Sequence, residues 1–526
     1  MRYKYSLLIL LAFIFNSCKE ETDKPIDINA VLGINSDIQY KEPYRPQFHF
    51  SPPEKWMNDP NGLVYHQGIY HLFYQYYPED IVWGPMHWGH AISKDLISWE
   101  NKPIALYPDK NGYIFSGSAV IDVDNTSKFG TKENPPMVAI FTYHDIEGER
   151  AGKLDFQTQG IAYSLDNGDT WTVYDRNPVI KNNGIKDFRD PKVMWHEDSK
   201  RWVMSLVAGD HVKFYQSRNL INWVLVGEFG KDKGAHGGVW ECPDVFKLKV
   251  EGSDEEKWVL LISINPGAPN GGSGTQYFIG DFDGKTFNAM HDDIKWLDYG
   301  TDNYAGVTYN NLPNDERIFI GWMSNWNYAR DTPTERWRSA MTLPRALSLH
   351  KNNDGSFVVK NYPVKQFNEQ LIDYKRYHKI KYEKPFTLEH HELGTSEISL
   401  KANLKDHLTI NLKNAKEDAD VFSFKIDPGA SEFSVDRRKS GIVDFEESFG
   451  KLIHKQAYKP SDTLVEVRMI VDRSSIEIFI DQGRYVFTEQ VFPAEPYTKL
   501  EIISNTAPFL KDLKVFLVKP IWKENE

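Results

Sequence analysis

Along most of this chain apolar and polar residues alternate in short runs, and each run stops at glycine, proline, asparagine or aspartate. Alternation of period two marks strands with one buried face, and the punctuating residues mark the turns between them. From about Gln47 to Leu347 strand follows strand, with no long stretch of helical period. Leu63-Val64-Tyr65 and Ile69-Tyr70-His71-Leu72-Phe73-Tyr74 read as two strands joined through His66-Gln67-Gly68, and Asn61-Gly62 just before them as a tight turn or strand start.

A degenerate repeat runs through this region. Residues 93–99 read Ser-Lys-Asp-Leu-Ile-Ser-Trp, 164–171 Ser-Leu-Asp-Asn-Gly-Asp-Thr-Trp, and 217–223 Ser-Arg-Asn-Leu-Ile-Asn-Trp. A looser copy is Gly280-Asp281-Phe282-Asp283-Gly284-Lys285-Thr286-Phe287. Each copy is a polar turn after a strand, closed by an aromatic. Their spacing suits four-stranded blades carrying loops, so the fold expected is a β-propeller, with blades beginning near Asp59, Ser116, Asp190, Glu241 and Asp302. After Pro344-Arg345 the character changes. Runs such as Glu397-Ile398-Ser399-Leu400, Leu408-Thr409-Ile410-Asn411-Leu412 and Ser475-Ile476-Glu477-Ile478-Phe479-Ile480 predict an antiparallel sandwich. The expected organisation is all-β: a five-bladed propeller over 44–365 followed by a β-sandwich over 366–526, the latter structural or a platform beside the site.

The amino terminus reads as targeting. Arg2 and Lys4 precede an apolar run from Leu7 to Phe15, too short for a permanent span. Ser17-Cys18 after it resembles a bacterial lipoprotein cleavage site. The expectation is a signal peptide over 1–17, a lipidated Cys18 and a polar tether to 43, giving an exported protein held at the outer membrane, on the cell surface or the periplasmic face, with the lipid as its membrane contact. Cys242 is the other cysteine, so no intrachain disulfide framework stabilises the exported chain.

Charge narrows the partners. With 62 Lys and Arg against 74 Asp and Glu the chain carries a net charge of −12, which repels a phosphate backbone and argues against nucleic acid. The histidines lack zinc-ligand spacing, and Gly271-Gly272-Ser273-Gly274 lacks the lysine of a phosphate-binding loop, so neither a metal nor a cofactor is expected. Fifteen tryptophans offer flat faces of the kind that stack on sugar rings.

Three acids stand in unusual contexts: Asp59 in Trp56-Met57-Asn58-Asp59-Pro60-Asn61-Gly62, Asp190 in Phe188-Arg189-Asp190-Pro191, and Glu241 in Trp240-Glu241-Cys242-Pro243-Asp244. Singly, each is an ordinary turn or ion-pair residue. Together, at the starts of separate blades, they converge on one mouth of a propeller. Two carboxylates about 5–5.5 Å apart, one ionised and one protonated, are what a retaining glycosidase needs.

These motifs, with Phe115-Ser116-Gly117-Ser118, Gly321-Trp322-Met323-Ser324-Asn325-Trp326, Trp337-Arg338, Leu343-Pro344-Arg345 and Val471-Asp472-Arg473-Ser474-Ser475-Ile476-Glu477, resemble glycoside hydrolase family 32, the fructan hydrolases and invertases. The likeness covers the chain from about Tyr44 onward and is nearest to bacterial levanases. It implies that Asp59 is the nucleophile, Glu241 the acid/base, which must start protonated, and Asp190 a stabiliser of the transition state. It further implies Asn58, Gln75, Trp83, Phe115, Ser116 and Arg189 as substrate contacts, and a fructan or fructo-oligosaccharide as the partner. Release of fructose from chain ends is the expected mode. The alternatives are an endo-acting levanase, another five-bladed furanosidase such as an arabinan-cleaving one, and a non-catalytic glycan-binding propeller; the last predicts loss of an acid, and all three are present. From the residues alone, Gln75 reads as a strand residue facing solvent.

Overall fold

The computed structural model describes residues 40–381, 385–459, 464–504 and 509–522. The expected signal peptide, Cys18 and most of the tether lie outside them. The described chain is built almost wholly of antiparallel strands.

Residues 55–363 form five sheets that follow one another along the chain. The first strand of each, Lys55–His66, Tyr113–Ile121, Phe188–His196, Val239–Lys249 and Tyr304–Thr308, packs beside the first strand of the next, and the fifth returns to the first. This is a propeller ring. Polar side chains stitch the inner strands together: Ser118 Oγ donates to Pro191 O at 2.9 Å, and Asn310 Nδ2 donates to Ala119 O and Val193 O at 2.8 and 3.0 Å. The ring is latched where Trp337–Arg338, from the last sheet's return, pairs in parallel with Lys55 and Trp56 of the first.

The repeated turn explains itself at atomic level. It joins the third and fourth strands of its blade. In the first copy Ser93 Oγ accepts from the backbone of Asp95 and Leu96, while Asp95 Oδ1 accepts from Ile97 and Ser98. Asn219 and Asp283 do the same for the residues that follow them. Such side chains satisfy the backbone of a tight turn from within, so the repeat records turn chemistry rather than a ligand.

A second regularity lies at the opposite end of the blades. All five inner strands lose register with their neighbours near their start, at Met57/Pro60, Ile114/Gly117, opposite Ser205/Val207, Glu241/Asp244 and Tyr304/Val307. Bulges of this kind bend a strand and re-aim its side chains. Asp190, Cys242 and Ala305 sit there with φ of 65°, 46° and 54°, a left-handed conformation that side-chain-bearing residues seldom adopt. Asn61-Gly62, expected as a tight turn or strand start, lies inside the first inner strand, in this bulged zone. Glycine is required at 62 because a Cβ there would meet Phe73 Cδ2 at 2.6 Å and Trp88 Cζ3 at 2.9 Å.

Residues 371–518 form two six-stranded sheets packed face to face around Leu400, Ile410, Phe424, Phe433, Ile478 and Phe487. The junction with the propeller is ionic and buried. Arg345 of the propeller pairs with its own Asp298 (3.0 Å) and with Glu477 of the sandwich (2.7 Å). Arg437 of the sandwich pairs with Asp302 of the propeller (2.6 Å) and its own Glu489 (3.2 Å). His49 Nδ1 contacts Asp472 at 2.8 Å. The sandwich thus carries buried acids whose partners stand more than a hundred residues away.

Candidate functional site

The bulges deliver their side chains to one cavity of 420 Å³ at the mouth of the ring. Its lining contains all nine residues singled out from the sequence: Asn58, Asp59, Gln75, Trp83, Phe115, Ser116, Arg189, Asp190 and Glu241. Asp59 comes from the first inner strand. Asn58 Nδ2 donates to its Oδ1 at 3.0 Å and Ser116 Oγ to its Oδ2 at 2.6 Å. Asn58 is itself held by the buried Trp56 indole, whose Nε1 donates to Asn58 Oδ1 at 2.7 Å. Asn61 Nδ2 donates to the Asp59 carbonyl, and Asn61 Oδ1 accepts from Gly117 N, so one asparagine fixes the bulge and the neighbouring strand together. That is why the motif needs amides on both sides of the acid.

Asp190, buried in the third inner strand, accepts from the Cys242 backbone N–H at 3.0 Å. The Cys242 thiol lies 3.7 Å from Asp59 Oδ2 and 3.6 Å from Asp190 Oδ2, within reach of both. Glu241 faces two donors. Arg189 Nη2 and Nε donate to its Oε1 at 2.7 and 3.2 Å, and the buried Tyr304 hydroxyl donates to its Oε2. Arg189 is braced by Asp187 at 2.7 Å.

Three carboxylates against one guanidinium set the electrostatics. Burial and the Glu241 charge raise the Asp59 carboxyl above its usual range, against the pull of Ser116 and Asn58. Burial, Glu241 and Asp59 push Asp190 up to about 7, against the nearby Arg189 charge. Asp59 and Asp190 therefore hold their protons to higher pH than exposed carboxyls do. Burial drives the Cys242 thiol and the Tyr304 hydroxyl well up, so both stay protonated donors.

Aromatic side chains make the walls. Trp83 stands edge-on to Phe115 at 6.0 Å, and Phe115 stacks on His144 at 4.2 Å. On the other side Trp326 stacks on Trp56 at 6.0 Å with Arg330 over its outer face. Gln75 does not face solvent: it is 2% exposed, and its Nε2 donates to Ile114 O at 3.0 Å. Its strand is covered on both faces, which a lone amide among aromatics does not disclose. The sequence reading missed His144, Glu149, Gln157, Asp187, Asn265, Trp326 and Arg330 as lining residues, and Tyr304 as the partner of Glu241. Trp326 ends a recognised motif and Asp187 adjoins Phe188-Arg189; the others carry no local signal. Among the described residues the one grouping spaced to hold a metal ion is His390, His391 and Glu392, on the sandwich and outside the cavity lining.

Comparison with known proteins matches these two regions separately. Residues 49–361 match the family described as glycosyl hydrolases family 32 N-terminal domain, and 369–516 the corresponding C-terminal domain. A levanase of Bacillus subtilis is 45% identical over 92% of this chain and 72% of its own length. An extracellular exo-inulinase of Aspergillus niger is 39% identical over 94% of this chain and 97% of its own. Among solved structures, the crystal structure of an exo-inulinase from Aspergillus awamori superposes with a TM-score of 0.84 at 37% identity, covering 92% of this chain and 100% of that one. A β-fructofuranosidase from Schwanniomyces occidentalis, complexed with fructosyl-erythritol, gives 0.82 at 32% identity, over 92% and 99%.

Proposed function

This chain belongs to glycosyl hydrolases family 32 and is a glycosidase of β-fructofuranosyl linkages; from that premise we propose that it removes fructose units from the ends of fructan chains, with retention, through a covalent fructosyl-enzyme. The observation that carries the reading is the convergence of Asp59, Asp190 and Glu241 at the base of one walled cavity. Asp59 Oδ attacks the anomeric carbon while Glu241 gives its proton to the departing oxygen. The bond from that carbon to the leaving oxygen breaks as the bond to Asp59 forms. Water then adds to the same carbon, Glu241 takes its proton, and the Asp59 ester bond opens.

The neighbours suit these roles. The Asn58 and Ser116 donors hold the Asp59 carboxylate in one orientation and stabilise the charge it regains when the ester opens. Arg189 and Tyr304 fix the Glu241 carboxyl from two directions, at the place where the departing oxygen must stand. Asp190, anchored by the Cys242 N–H, supplies an acceptor for ring hydroxyls and negative charge beside the carbon as it gains oxocarbenium character. Chain-end attack is supported by the two aromatic walls, Trp83–Phe115 and Trp326–Arg330, which flank a compact cavity.

Chromatography of early products from levan, inulin and sucrose tests this. Free fructose is expected; a ladder of oligosaccharides from levan would overturn chain-end attack. No product from any of the three would overturn the substrate class.

The protein is exported, in keeping with the extracellular relative, and the reading extends to acylation at Cys18 and attachment to the outer membrane. The basic start, the Leu7–Phe15 run and Ser17-Cys18 support it. No helix among the described residues is long and apolar enough to cross a membrane. Cys18→Ala is expected to leave the protein in the aqueous phase on detergent partitioning; retention in the detergent phase would refute acylation.

A further inference from the structure

The sandwich carries a group of donor atoms that the hydrolytic cavity does not use. His390, His391 and Glu392 follow the strand Phe386–Glu389, and one side-chain atom from each lies within 4.8 Å of those of the other two. They are consecutive residues, which no spaced ligand motif describes. Two imidazole nitrogens and a carboxylate oxygen are a donor set for divalent zinc, nickel or copper, whereas calcium and magnesium take oxygen ligands throughout. His391 and Glu392 are exposed, so an ion has an open way in. Other exposed histidines face a single acid, as His378 faces Asp512 and His407 faces Asp427.

The turn that carries the group is held from both sides. Before it, His390 N donates to Thr498 O at 2.9 Å, continuing the pairing of Phe386–Glu389 with the strand Lys499–Ile503. After it, Leu393 N donates to His390 O at 3.3 Å, and the Leu393 side chain is buried in the sandwich core. The rings are ordered as well. His390 packs on Tyr374 and on His391, with ring centroids 4.3 and 4.4 Å away. The Glu392 backbone N–H donates to His390 Nδ1 at 3.1 Å, so that nitrogen carries a lone pair and no proton. An ion there takes the place of one long hydrogen bond and leaves the freed N–H to water. Ligands on a turn anchored in this way lose little freedom when they bind.

The spacing fits an ion. Four ligands about 2.0–2.1 Å from zinc in a tetrahedron stand about 3.4 Å from one another. The widest pair here must close by at most about 1.4 Å, a step that rotation of the two exposed side chains supplies. Three protein ligands leave the fourth position to water. We propose that His390, His391 and Glu392 form a binding site for one divalent ion of the zinc, nickel and copper class, on the sandwich and apart from the hydrolytic cavity. The site stands independently of the fructofuranosidase reading.

Calorimetric titration of the full chain, stripped with EDTA, against zinc chloride tests it. One saturable ion per chain is expected. Loss of an outer-shell partner already weakens metal sites by about 10–100-fold, so His391→Ala and Glu392→Gln, which each remove a ligand, should weaken binding at least about tenfold. His378→Ala, which removes an exposed imidazole outside the group, should leave it unchanged. Zinc should raise the Tm of the native chain and of the His378→Ala chain but not of the other two. The Tm values without zinc report that all the variants are folded. Absence of saturable binding, native affinity in the His391→Ala and Glu392→Gln chains, or an equal loss in the His378→Ala chain would overturn the site.

Discussion

Two regions of this molecule bury several acids, and they treat them in opposite ways. At the propeller–sandwich junction Asp298, Asp302, Asp472, Glu477 and Glu489 are interleaved with Arg345, Arg437 and His49, and His454 Nδ1 lies 2.7 Å from Glu489. In the cavity Asp59, Asp190 and Glu241 stand together, and of the three only Glu241 pairs with an arginine, Arg189. At the junction Arg345 and His49 hold Glu477 below the usual carboxylate range, while His49 itself is pushed up to about 9 by Asp472 and Glu477. In the cavity the carboxyls of Asp59 and Asp190 are raised. One arrangement spends its electrostatics on holding two domains together; the other leaves its carboxyls short of cations, so that they hold protons to higher pH. The same residue types give structure in one place and reactivity in the other because of the partner count, not the burial.

The contrast breaks most sharply at Asp59, the residue proposed as nucleophile. Asp59→Asn should lower kcat/KM by about 10⁴-fold or more and leave no fructosyl adduct detectable by mass spectrometry, with the fold intact. An adduct still present in the variant would refute the assignment. Glu241→Ala should cost about 10²–10⁴-fold, with the loss smallest on substrates whose leaving group needs no proton, measured as kcat/KM across a leaving-group series. At the junction the effect should fall on stability instead. Arg437→Ala leaves Asp302 without its cation and Glu489 with only His454, and should cost about 3–5 kcal/mol in urea unfolding. A normal unfolding midpoint in that variant would mean that the junction's charges are not needed.

Two smaller effects separate the regions by pH. Asp190 is raised to about 7, so the folded chain holds a proton that the unfolded chain has released. Its contribution is fully present below the unfolded value near 4 and is lost as pH rises to about 7. Asp190→Asn should therefore be inactive yet more stable at pH 8, by about 1 kcal/mol, read as a higher Tm. His49 has the same sign in a higher window. Its stabilisation is fully present below about 6.5 and is lost as pH rises through about 9. His49→Asn should be less stable at pH 6 and show a flatter stability profile from pH 6.5 to 9.

How much of this could be read from the sequence follows from the same contrast. The cavity acids sit in compact motifs because a bulge, its acid and the amides that hold it must be neighbours along the strand, as Asn58-Asp59-Pro60-Asn61 are. The turn repeat was legible for a similar reason: Ser93 and Asp95 bond to backbone within a few residues. The junction was not legible, because Arg437 and Asp302 are 135 positions apart and meet only once both domains exist. Asn61-Gly62 misled because the sequence pattern of a turn and that of a glycine crowded by Phe73 and Trp88 are the same two letters.

The parallel pairing of Trp337–Arg338 with Lys55–Trp56 has a temporal consequence. A ribosome adding about 5–20 residues per second completes Asp59, Asp190 and Glu241 while the segment that latches the ring is still unmade, and Arg437 comes later still. For about 5–20 seconds the nascent chain holds every acid of the site without the closed ring that orients them. Activity is thereby timed by topology: the enzyme switches on at completion, and a chain cut short before the latch would be born silent.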